Sequence, residues 1–121
     1  MKIAICCSMK HRGLIRDVVA ALANAGHEPL FPNLDHPGGD LTQDEKKRLA
    51  LEHYAAIDAS DVVYFLTPEG YMGTSCKLEL GYTIAAKKTV FFSEPTNDQA
   101  LDCYVSAFVA VADIETSSIF T

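Results

Sequence analysis

The sequence predicts an α/β fold, a single-domain, doubly wound (Rossmann- or flavodoxin-like) five-stranded parallel sheet with helices on both faces. Three observations predict it. Strand-like and helix-like patterns alternate along the whole chain, the signature of successive βαβ units. The run Val62-Val63-Tyr64-Phe65-Leu66 is continuously apolar, as a strand covered on both faces must be. The chain has 121 residues and 49% hydrophobic content, enough for one compact core spanning 1–121.

Each element has its own justification. Strand one is Lys2 to Cys7, whose adjacent cysteines point to opposite faces as small core thiols. Helix one spans Arg12 to Ala25, with Leu14, Val18 and Leu22 on one face and Gly26 as its stop. Strand two is short, His27 to Phe31, and ends at Pro32. A polar loop from Asn33 to Leu41 carries Pro37-Gly38-Gly39. Thr42 opens helix two, and Glu45 three residues on completes a capping box. Leu49, His53 and Ile57 form its apolar stripe, and it ends near Ser60.

Strand three is Asp61 to Leu66, followed by a glycine-bearing loop from Thr67 to Thr74. Helix three is Ser75 to Lys87, with Thr74 or Ser75 as its N-cap. Strand four is Thr89 to Phe92, a loop runs from Ser93 to Asn97, and a short helix covers Gln99 to Tyr104. Strand five is Phe108 to Val111, and the tail from Thr116 to Thr121 is expected to be loosely held. With strand order 2-1-3-4-5, the ligand crevice lies outside the carboxyl ends of strands one and three.

Charge and composition exclude several functions. A net charge of -6 argues against nucleic acid polymers or anionic membranes as partners. No apolar run approaches the roughly 20 residues that span a bilayer. The first residues are too short for a signal peptide's apolar core, so a soluble cytoplasmic protein is expected. Cys6, Cys7, Cys76 and Cys103 show no metal-like spacing, and no metal or cofactor is expected. Three are read as core thiols like their neighbours, while Cys76 near a helix N-terminus is a candidate reactive thiol.

Two loops face each other across the crevice. The first, Ser8-Met9-Lys10-His11-Arg12, clusters cations at a helix start in an acidic protein, an anion site or simply a solvated basic turn. It lacks the GxGxxG and GxxxxGK[ST] fingerprints. The second carries Gly70, Tyr71, Gly73, Thr74 and Ser75, where glycines let a ligand approach backbone N–H groups. Glu79 lies one turn inside the helix, crowded by Leu78, Leu80, Tyr82 and Ile84, so partial burial is expected. His53 sits on an apolar stripe, as a packed residue or as one aimed at the crevice. Asp58 and Asp61 read most simply as an exposed turn.

These residues resemble the nucleoside 2-deoxyribosyltransferase-like superfamily, which includes 2'-deoxynucleoside 5'-phosphate N-hydrolases. The resemblance rests on Ser8-Met9-Lys10 after strand one, Gly26-His27, Ile57 to Val63, and Gly73-Thr74 with Glu79-Leu80-Gly81-Tyr82. It implies that Glu79 is a nucleophile attacking the anomeric carbon, and that Ser8, Lys10 and Arg12 hold a 5'-phosphate. It also implies a homodimer or higher homo-oligomer whose neighbouring subunit closes the site, with Tyr71, Met72, Tyr82 and Tyr104 as candidate contacts. The family's aspartates are replaced by His53 on helix two and by Gly73 before the glutamate. His53 then stands as a substitute general acid.

The function expected is N-glycosidic bond cleavage or transfer on a nucleoside or nucleoside 5'-monophosphate, a small-molecule partner. Catalysis is assigned to Glu79 and His53, and substrate binding to Ser8, Met9, Lys10, Arg12, Gly70, Tyr71, Gly73, Thr74 and Ser75. The alternative is a catalytically silent module that binds or senses a nucleotide or nucleotide-sugar in the same crevice. A flavodoxin-like FMN protein is the third reading, weakened by the absence of a Ser/Thr-rich first loop.

Overall fold

The computed structural model describes residues 1–34 and 41–120. Five strands, β1 (Lys2–Cys6), β2 (Glu28–Leu30), β3 (Val62–Phe65), β4 (Thr89–Phe92) and β5 (Ala107–Phe108), form one sheet. Its order is β2-β1-β3-β4-β5, and every neighbouring pair is parallel. Four α-helices intervene: α1 (Arg12–Asn24), α2 (Gln43–Ala59), α3 (Thr74–Ala85) and the short α4 (Gln99–Asp102). The predicted fold class and strand order are the ones found. None of the helices among the described residues is long and apolar enough to cross a membrane.

The sheet separates two cores because side chains alternate along each strand. Ile3, Ile5 and Cys7 face α1, packing with Ile15, Val18 and Leu22. Ala4, Cys6, Val63 and Phe65 face the other side, with Ile57 of α2 and Cys76 and Leu80 of α3. Tyr54 of α2 stacks on Tyr82 of α3 at 4.7 Å between ring centroids, tying those helices together.

Local chemistry fixes the element ends. The Thr42 hydroxyl accepts from the Glu45 N–H at 3.1 Å, and the Glu45 carboxylate accepts from the Thr42 N–H at 3.3 Å. At the other end of α2, the Lys88 ammonium donates to the carbonyls of Asp58 and Ser60 at 3.0 and 2.8 Å. That cation offsets the acidic pair there. Asp58 and Asp61 are exposed, as expected, and each is hydrogen-bonded: Asp58 accepts from the Tyr82 hydroxyl and Asp61 from the Lys2 N–H.

Several expectations are corrected. β1 ends at Cys6, one residue early. Ile15 takes the fully buried place on α1, and Leu14 is only half-buried. Helix three begins at Thr74 with Gly73 as its N-cap and no side-chain cap bond, because both hydroxyl residues are already helical. β5 is only two residues long, and Val111–Asp113 is a 3-10 turn. Cys103 is exposed. The tail is anchored, since Phe120 is buried and packs edge-on against Tyr64 and Phe91. The Pro37-Gly38-Gly39 turn lies outside the described residues.

Candidate active site

A cavity of about 510 Å³ opens at the carboxyl ends of β1 and β3, the size of a small-molecule site. Ser8, Met9, Arg12, Tyr71, Gly73, Thr74 and Ser75 all line it, together with His53 and Glu79. The two loops predicted to face each other therefore do so. Two predicted binding residues are not on its wall. Lys10 places its ammonium 3.7 Å over the Tyr71 ring, a cation–π contact that bridges the loops at the rim.

Gly70 is the second. It adopts φ +79°, and a Cβ there would lie 3.0 Å from the Pro95 carbonyl oxygen. Its glycine requirement is therefore backbone packing, not ligand approach. The same junction is stitched by Thr67, whose N–H donates to Ser93 Oγ at 2.8 Å. The Thr67 hydroxyl in turn donates to the Glu94 carbonyl at 2.6 Å. These buried bonds clamp the loop after β3 onto the loop after β4 and set the path of Gly70 to Gly73.

The first loop leaves β1 through a 3-10 turn, Met9–His11, that runs into α1. Neither Ser8 before that turn nor Thr74 and Ser75 at the start of α3 spends a hydroxyl on capping. Both helix starts, which lack a side-chain cap, border one cavity. Arg12 adds a fixed cation whose Nη1 reaches the Leu34 carbonyl at 3.5 Å. Lys46 of α2 adds another on the opposite wall.

Glu79 and His53 converge at the cavity floor. His53 Nε2 is 3.7 Å from Glu79 Oε2 and 3.3 Å from Cys6 Sγ. His53 is 8% exposed and Cys6 1%. Glu79 Oε2 is buried with no hydrogen-bond partner. Burial raises the Glu79 pKa to about 7, partly offset by a hydrogen bond from the Cys6 thiol. Burial lowers that of His53, against a hydrogen bond to the Ile5 backbone that raises it. Burial thus disfavours the charged form of both groups.

The sources of burial differ from those expected. Leu78 is 61% exposed and does not cover Glu79. The cover comes from the side of Cys6 and His53, while Cys7 and Cys76 line the cavity beside it. Burial and the Glu79 charge push the Cys76 pKa well up, which argues against the reactive thiol expected there. Met72 is a core residue, so of the candidate subunit contacts Tyr71 and Tyr104 are the freely exposed ones.

Sequence reasoning missed Cys6 as a site residue and also Phe31, Leu49, Glu52 and Lys46 on the cavity wall. Lys46 and Leu49 share the helical stripe spacing of His53, a signal that could have found them. No such signal exists for Cys6, 47 residues from His53 in the chain.

Known structures share this architecture. A 2-deoxyribosyltransferase from the psychrotolerant bacterium Bacillus psychrosaccharolyticus superposes with a TM-score of 0.70 at 17% identity, over 98% of this chain and 93% of that one. A conserved protein from Enterococcus faecalis V583 matches with a TM-score of 0.53 at 13% identity, over 95% and 86%. No protein-family model and no curated protein sequence matches the chain. The fold is thus 2-deoxyribosyltransferase-like, with sequence similarity too low to carry more than fold.

Proposed function

We propose that this protein cleaves or transfers the N-glycosidic bond of a nucleoside or nucleoside 5'-monophosphate through a glycosyl ester on Glu79. One observation carries the reading: Glu79, a largely buried carboxylate with one oxygen lacking a hydrogen-bond partner, lines a nucleoside-sized cavity at the sheet's switch point. Ionised Glu79 attacks the anomeric carbon as the C–N bond breaks, and the electron pair leaves with the base. The departing base takes a proton, and water or a second base then opens the ester. Ser8, Arg12 and the two helix starts supply the 5'-phosphate site, which favours hydrolysis of a monophosphate over base exchange.

For His53 a positioning part is favoured over the general-acid part that the resemblance suggested. It faces Glu79 and Cys6, and burial favours its neutral form, which supports a part in orienting the nucleophile over protonating the leaving base. The proton comes instead from solvent, which the open cavity admits to the leaving base. A second copy of the chain would close the site over exposed Tyr71, as the family resemblance implies.

Release of free base from a panel of nucleosides and nucleoside 5'-monophosphates, followed by chromatography, tests the reading. Turnover of deoxynucleoside monophosphates is expected. The replacement of a family aspartate by His53 favours one competing reading, a silent nucleotide-binding module. Tight calorimetric binding of a nucleotide with no base released would establish that module instead.

A further inference from the structure

We infer that Cys6, His53 and Glu79 form a three-ligand site for a thiophilic divalent cation of the zinc class, with its fourth position open to the cavity. The metal site stands apart from the glycosyl chemistry proposed above, and only its effect on activity rests on that reading.

The geometry is that of a ligand set. One donor atom from each residue, a thiol sulfur, an imidazole nitrogen and a carboxylate oxygen, lies within 4.8 Å of the other two. The sulfur and nitrogen are 3.3 Å apart, and the nitrogen and oxygen 3.7 Å. Tetrahedral zinc with bonds of about 2.0–2.3 Å holds its ligand atoms roughly 3.3–3.8 Å from one another. An ion can therefore enter with small side-chain movements.

The chemistry of the donors selects the ion. A thiolate with an imidazole favours zinc-like metals over magnesium or calcium, which prefer oxygen. Three protein ligands and an open position make a site of the exchangeable kind. Glu79 Oε2, buried and without a hydrogen-bond partner, is an orphan that a cation would satisfy. The three residues stand on β1, α2 and α3, so the packed core holds them in place without metal. His53 is further fixed by its burial on the inner face of α2.

Binding breaks the Cys6 S–H bond, forms a sulfur–metal bond and sends the proton to solvent, with no change of oxidation state. It also occupies the carboxylate. Metal binding and nucleophilic attack by Glu79 exclude each other, so zinc would hold the proposed enzyme silent until removed.

Cobalt(II), a spectroscopic stand-in for zinc, tests the site on the whole chain under anaerobic conditions. One equivalent is expected to produce a near-ultraviolet thiolate-to-cobalt charge-transfer band with strong tetrahedral visible absorption, and added zinc should abolish both. Cys103→Ser, which removes the exposed thiol, should leave the spectrum unchanged, and Cys6→Ala should eliminate the charge-transfer band. Should Cys6→Ala not fold, the near-isosteric Glu79→Gln gives the second reading, with visible absorption that is lost or shifted. Absence of the charge-transfer band in the wild type would overturn the inference. So would a band that survives Cys6→Ala, or visible absorption that Glu79→Gln leaves unchanged.

Discussion

Glu79 has exchanged water for a thiol and a neutral imidazole, and that environment sets how its charge responds to pH. Its folded-state pKa of about 7 lies above the ordinary value of 4.5, so the folded protein holds this proton more tightly than the unfolded chain. The resulting stabilisation is complete below about pH 4.5 and is lost as pH rises through 7. The full shift corresponds to about 3 kcal/mol. Glu79→Gln, which stays neutral, should melt several degrees above the wild type near pH 8, the gap closing near pH 5, by calorimetry with a chelator present. A variant less stable than the wild type near pH 8 would mean that the carboxylate has a stabilising partner. In activity the same titration predicts that kcat/KM rises with pH through about 7, because only ionised Glu79 attacks. That Glu79 and His53 would lie at the crevice was legible from motif and spacing. Their mutual contact and the part of Cys6 were not, because tertiary packing alone brings them together.

At the scale of elements, what was local was legible. The bounds of α2 follow from Thr42 and Glu45, whose reciprocal bonds need only residues three apart. Thr42→Ala should cost about 1 kcal/mol in denaturant unfolding, with an unchanged m-value. The start of α3 was read one residue late, since Thr74 and Ser75 are good caps in isolation yet Gly73 takes that position. β5 was misplaced because two residues carry little pattern and β4 dictates their register. Gly70 was read as a place for ligand approach, but its positive φ and the nearby Pro95 carbonyl define its role. Gly70→Ala should destabilise by about 1–3 kcal/mol and shift the loop bearing Tyr71 and Gly73. The accompanying readout is a rise in KM for any nucleotide substrate.

The whole molecule is a sheet whose order follows from chain-connection rules, which is why topology was legible without any contact information. The tail was not. Phe120 is a lone aromatic near the end of a polar stretch, and its pocket among Tyr64, Phe91 and His27 is assembled from distant strands. Phe120→Ala should cost about 3–5 kcal/mol in chemical denaturation, whereas a loosely held tail would show almost no change. The same topology brings Ser8, Arg12 and Glu79 to one cavity, and the proposed chemistry depends on that convergence. The most direct measurement is the rate of free-base release from a deoxynucleoside 5'-monophosphate by the wild type and by Glu79→Ala, in metal-free buffer near pH 8. Loss of the nucleophile should lower the rate on the order of 10³-fold or more. Release by Glu79→Ala at the wild-type rate would contradict the account.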